Sequence, residues 1–147
     1  MRRQVKILNP LRIMVLTLII MLSGVVQASP LRDEALKNIA KQYDVVFFYR
    51  GYCPHCHNMA PGLQAMAETY GFNVIANKLD GPTINGFQNQ ITDMKLFDEF
   101  RIYALPTTVL IDKTNNKGVV LANHALFGEQ LEIAVLKGAA SIGEYLA

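Results

Sequence analysis

Two hydrophobic rhythms alternate along this chain. Ala35, Leu36, Ile39, Ala40 and Tyr43 recur at helical spacing over residues 32–43, and the β-branched and aromatic run Val45-Val46-Phe47-Phe48-Tyr49 follows directly, so a helix should lead into a strand. Pro54 suits the first position of a second helix, with Cys53 as its N-cap. Met59, Leu63, Met66 and Tyr70 carry that helix at spacings of four, three and four, and Gly71 ends it. Residues 72–79 read as a second strand, after which Asp80-Gly81-Pro82 and Asn85-Gly86 mark a polar loop running to about Asp93. A short helix over 94–100 precedes a third strand at 107–112. The turn Asn115-Asn116-Lys117-Gly118 joins it to a fourth at 119–125, so these two should pair as a hairpin. The last helix spans 129–139, with Leu131, Ala134 and Val135 inward. Strands alternating with helices predict an α/β fold: a parallel βαβ unit, with the hairpin adding antiparallel strands to one mixed sheet of about four strands.

The N-terminus changes what the charge means. Arg2, Arg3, Lys6 and Arg12 precede an apolar stretch over residues 13–22, then small residues and Val26-Gln27-Ala28, the pattern of a secretory signal peptide cut after Ala28. An uncleaved inner-membrane anchor is the alternative, although the run is shorter than the roughly 18 residues a span requires. The expected division is therefore a signal at 1–28 and one domain at 29–147, exported to the periplasm. The whole chain has 14 basic and 12 acidic side chains; without residues 1–28 ten basic ones remain, a net charge of −2. No basic stripe survives to suggest nucleic acid.

Cys53-Pro54-His55-Cys56 carries the chemistry. Two thiols three positions apart at a helix start can face each other and shuttle between dithiol and disulfide. A structural staple is the plainer use of two exported cysteines. It is a poor one, since a four-residue ring contributes roughly 2 kcal/mol of chain entropy against about 3 for a fifteen-residue loop. Cys53, at the helix N-terminus, is the expected nucleophile, and Cys56, one turn inward, the resolving thiol. Lowering a thiol pKa by about three units requires roughly 4 kcal/mol, whereas a helix terminus supplies about 0.3 to 1. Local N–H groups and the His55 imidazole are the candidates for the rest. The redox reading calls for no cofactor and no metal.

The order of elements, the Cys-x-x-Cys after the first strand, Pro61 eight residues after Cys53, and Leu105-Pro106-Thr107 before a strand resemble the thioredoxin superfamily over nearly all of residues 31–140. The resemblance implies a three-layer sandwich. It also implies that Pro106 is the cis-proline facing the redox pair, with Leu105 and Tyr52 as apolar lips for an extended client. Cys-Pro-His-Cys is the pair of DsbA-type oxidases, while Cys56-His57 is more like the DsbC-type isomerases. The chain departs from both, with no room for the helical insertion of the first and no dimerisation domain before residue 31 like that of the second. Phe47 stands where thioredoxins carry a buried acid. Segment 52–61, Asp80-Gly81 and Gly86-Phe87 are similar to the TrbB group of periplasmic isomerases of F-type conjugative transfer systems. Clients would then be cysteine-containing exported proteins of a pilus or transfer channel, and a separate redox partner would reset the cysteines.

Three rival readings remain. Cys53-x-x-Cys56-His57 also matches c-type haem attachment, with Met59, Met66 or Met94 as distal ligand. Cys53, Cys56, His57 and His124 could form a zinc site if they converged. The same fold could also run as a reductase supplying electrons for cytochrome maturation.

Overall fold

The computed structural model describes residues 30–146. The elements are α1 (Pro30–Gln42), β1 (Tyr43–Tyr49), α2 (Pro54–Tyr70), β2 (Val74–Lys78), β3 (Asn89–Ile91), α3 (Met94–Glu99), β4 (Thr107–Asp112), β5 (Gly118–Ala122) and α4 (Glu129–Leu146). They build one five-stranded sheet in the order β3-β2-β1-β4-β5. β1 runs parallel to β2, which is parallel to β3, while β4 is antiparallel to both β1 and β5. The predicted βαβ unit and hairpin thus share one sheet. The signal-peptide expectation for residues 1–28 lies outside the described residues, and no described helix is long and apolar enough to cross a membrane.

Burial on both faces of β1 makes the three layers. Val45, Phe47 and Tyr49 join Leu36, Met59, Leu63, Leu131 and Val135, from α1, α2 and α4, in one core layer. Val46 and Phe48 face the other way, onto Phe97 of α3 and Val109. A strand covered on both sides reads as an unbroken apolar run, and burying each such large side chain contributes roughly 1.5–3 kcal/mol. Gly71 closes α2 as expected: it takes the left-handed conformation, φ 83°, and its N–H donates to the Ala67 carbonyl at 2.8 Å.

Several boundaries move by one to three residues, as where the strand expected at 119–125 spans Gly118–Ala122, and two differences from the sequence reading are larger. α4 continues past Ala139 to Leu146, and Ile142 is buried on the face that Leu131 and Val135 share. Gly138, which weakens the helical signal, lies close against β5: a Cβ on it would require the end of the Leu121 side chain to shift. The fifth strand, β3, lies inside the segment expected to be loop. Its residues Asn89, Gln90 and Ile91 are all exposed, so no apolar alternation announces it, and pairing with β2 alone defines it. Nor is the rest of that segment merely solvated: Ile84 and Phe87 are buried, and the Phe87 ring lies 5.6 Å from that of Phe47. Gln90 pins the fold-over, accepting from Tyr49 Oη at 3.2 Å and donating to the Ile84 carbonyl at 3.2 Å.

Candidate redox-active site

β1 ends in a tight turn that delivers Cys53 to the head of α2. The Cys53 N–H donates to the Arg50 carbonyl at 3.1 Å, closing the turn around Gly51 and Tyr52. Cys53 is the N-cap, with extended backbone (φ −84°, ψ 113°), and its carbonyl accepts from the amides of Cys56 and His57, each at 3.1 Å. Pro54 at the first helical position is exposed, and its missing N–H costs the helix nothing there. The Cys53 sulfur accepts from the Cys56 amide at 3.3 Å, which is the side-chain capping contact expected of a polar N-cap. A charged sulfur at this position gains both from that donor and from the positive end of the helix.

The two thiols are placed unequally. Both cysteines are free; Cys53 is half-buried and Cys56 is fully buried in the layer containing Phe47, Tyr49 and Met59. Burial, and after it the contact with Cys53, pushes the Cys56 thiol up to about 12, so it stays protonated at neutral pH. Phe47 fills the position of the missing acid, fully buried and stacked on Tyr49 at 5.3 Å between ring centroids.

The turn rests on a second loop. Gly51 is buried and its N–H donates to the Asp80 carbonyl at 2.8 Å. A Cβ at Gly51 would overlap the backbone oxygen and nitrogen of Pro82, so the two loops meet at a contact only glycine allows. Arg50 and Asp80 pair across the same junction at 2.8 Å, both about half exposed, which makes the pair a minor contribution.

Of the remaining sequence-predicted residues, Tyr52 and His55 flank Cys53 in the chain and Leu105 shares a groove with it. The Leu105-Pro106 peptide bond is cis, and Pro106 is buried at the start of β4. Leu105 and Cys53 line one open groove of about 460 Å³, with Arg50, Leu79, Met94, Phe97 and Ile102 among its other walls. Tyr103 on the groove's rim and Tyr52 on the turn are 90% and 78% exposed, large apolar surfaces left to water beside a thiol. The His55 ring is exposed. The ring bonded to the turn is that of the next histidine, His57, whose Nε2 lies 2.7 Å from the Gly51 carbonyl oxygen. Sequence reasoning noted His57 beside Cys56 and as a ligand in the rival haem and zinc readings, but not as a contact of the turn; its position one helical turn after Cys53 was the available signal.

The metal-binding rivals find no matching geometry. His124 is exposed after β5, with Nδ1 3.4 Å from Asn123 Oδ1, and no group of three or more His, Cys, Asp or Glu among the described residues is arranged to hold a metal ion. The His57 ring that haem attachment would turn toward iron is directed at Gly51.

Comparison with known proteins agrees with this architecture. The family described as TraF: F plasmid transfer operon protein matches residues 25–135. Protein TrbB of Escherichia coli (strain K12) is 35% identical over 87 residues, covering 56% of this chain and 48% of that protein, so the chain spans about half the length of this relative. Among solved structures, a thioredoxin-like protein from Aeropyrum pernix superposes with a TM-score of 0.51 at 18% identity, covering 88% of this chain and 99% of that one. MTB dsbF, solved in mixed oxidized and reduced forms, gives 0.51 at 17% identity over 69% of this chain and 84% of its own. The fold is that of thioredoxin.

Proposed function

This chain belongs to the TraF family of F plasmid transfer operon proteins, and from that membership and the thioredoxin fold we propose that it is a protein thiol-disulfide oxidoreductase, an oxidase or isomerase with Cys53 and Cys56 as its redox pair. One observation carries the reading. A half-buried sulfur caps a helix and accepts an amide at 3.3 Å, while a second sulfur one turn below is fully buried and held protonated. Cys53 thiolate attacks one sulfur of a client disulfide, forming the mixed disulfide and expelling the other sulfur as a thiolate. Cys56, once deprotonated, then attacks the Cys53 sulfur, which releases the second client thiol and leaves the Cys53–Cys56 disulfide. Run backward from that disulfide, the same steps oxidise a client dithiol. When a different client thiol attacks the mixed disulfide instead, the client is rearranged and Cys53 returns as thiolate with no net redox change.

The groove beside Cys53, with Leu105 in its wall and Tyr52 on the adjoining turn, suits an extended apolar client segment. Its clients would be disulfide-containing proteins of a conjugative pilus or transfer channel, met in the periplasm after export, and a separate redox partner would reset the pair. His55, exposed two residues after Cys53, would offer its imidazole near the sulfur and favour the reduced form.

Trapping tests the division of roles. Cys56→Ala should accumulate client adducts on non-reducing gels and Cys53→Ala none; equal trapping by both refutes the reading. Equilibration with glutathione gives the direction. His55→Gly should make the pair more reducing, and an unchanged equilibrium constant removes His55 from the assignment.

A further inference from the structure

We propose that His57 is a positioning residue that latches the Cys53 turn to the helix it caps; the inference rests on Cys53 being the attacking thiol. His57 grips the turn at two points. Its backbone N–H donates to the Cys53 carbonyl at 3.1 Å, and its ring Nε2 lies 2.7 Å from the Gly51 carbonyl oxygen. A carbonyl oxygen only accepts, which assigns the proton to Nε2 and makes the ring a donor. The two bonds straddle Tyr52 and close a ring of contacts running from Gly51 through Cys53 into the first turn of α2.

What the latch holds is defined from the other side. Gly51 is buried, its N–H is engaged with Asp80, and it lies against Pro82 too closely for a side chain. Its carbonyl is therefore a fixed post, and the His57 ring ties the helix start to it. The Cys53 sulfur needs that geometry, because its 3.3 Å contact with the Cys56 amide requires the extended backbone of an N-cap. Without the ring, a carbonyl of a buried residue loses its partner and the turn is free to rock, lengthening the contact that favours the thiolate.

His57→Leu and His57→Gln, each in the full chain, test this; glutamine keeps a donor for Gly51 and leucine does not. Cys53 is isolated in a Cys56→Ala background, and its ionisation is followed by ultraviolet thiolate absorbance. Reaction with oxidised glutathione is followed as well, in which Cys53 thiolate forms the mixed disulfide and glutathione thiolate leaves. Leucine should move the thiolate midpoint to higher pH and slow the reaction about two- to tenfold at neutral pH, the range one hydrogen bond supports. Glutamine should restore most of both, and His124→Leu, away from the turn, should change neither. The latch is refuted if leucine matches the wild type, or if glutamine is as impaired as leucine. Absence of any reaction between the unsubstituted pair and glutathione would instead overturn the proposed function, and the absorbance midpoints would still read the latch.

Discussion

Gly51→Ala isolates the junction under the nucleophile. No left-handed conformation is imposed at Gly51, so the backbone itself admits alanine and the effect is steric. The added methyl would overlap the backbone oxygen and nitrogen of Pro82 and lie 2.6 Å from its Cδ, where ordinary contact begins at 3.4 Å. Neither partner is the end of a flexible side chain, so one loop must move. Overpacking of this kind costs about 1–3 kcal/mol. Moving the turn also strains two hydrogen bonds, Gly51 N–H to Asp80 at 2.8 Å and His57 to the Gly51 carbonyl at 2.7 Å. At about 0.5–1.5 kcal/mol each, their loss brings the upper limit to roughly 6 kcal/mol, and 2–4 is expected if one of them re-forms. Urea denaturation of the reduced protein should show the lower midpoint at an unchanged slope. The rate of mixed-disulfide formation should fall in the same variant, since the displaced turn carries Cys53. A midpoint and rate both equal to wild type would mean that the loops are not packed as described.

Other outcomes follow from single features. Gly71→Ala meets no neighbour, so only the left-handed backbone resists it; thermal or urea unfolding should show a loss of about 1–2 kcal/mol with client trapping unaffected. Phe97→Ala removes the ring packed edge-on against Phe48 at 4.8 Å and empties part of the groove wall; it should cost about 3–5 kcal/mol and weaken client capture, and a loss below about 1 kcal/mol would contradict that packing. Because burial, the larger cause of the raised Cys56 pKa, persists in a mixed disulfide, the thiolate fraction there grows about tenfold per pH unit through neutral pH, so resolution of a purified glutathione adduct should accelerate with pH in that proportion; a flat profile refutes Cys56 as resolver. The linked stability has the opposite sign: the folded reduced form retains its proton beyond the ordinary 9.0, so the thiol's contribution is intact below about pH 9 and is lost as pH rises toward 12.

What the chain revealed in advance depended on how local each signal was. The run Val45 to Tyr49 and the four-three-four spacing of α2 specify their elements through burial of their own residues, and both appear where periodicity put them. Gly71 and Cys53 are equally local, because a helix end is decided by one residue's conformation or one capping atom. β3 is the converse case: exposed on every residue, it exists through ladder bonds to β2 that no side-chain pattern encodes. The contacts of Gly51 with Pro82, and of His57 with Gly51, belong to the same class. Nothing in Gly51 alone tells a close approach from a flexible turn, and a histidine after Cys56 is ambiguous until the turn curls back beneath it.

The unequal seats of the two sulfurs also bear on which reaction the proposed enzyme would favour. Resolution by Cys56 requires its proton to leave a layer built of Phe47, Tyr49, Met59 and Phe87, with a phenyl ring where an acid could have accepted it. The buried carboxylate oxygens without a hydrogen bond, on Asp33 and Asp44, belong to α1 and the start of β1, and Asp44 is already 3.4 Å from Lys113. They are at the far end of β1 from the turn that bears Cys53. In the mixed disulfide Cys53 no longer carries charge, which removes the contribution of its thiolate to the rise, yet burial, the larger cause, persists. A slow resolving thiol lengthens the life of the adduct, and a longer-lived adduct gives a second client thiol more time to attack it. In the proposed enzyme the half-buried seat of Cys53 and the deep burial of Cys56 would therefore favour rearrangement over net reduction of clients, through the kinetics of one proton rather than through the potential of the pair.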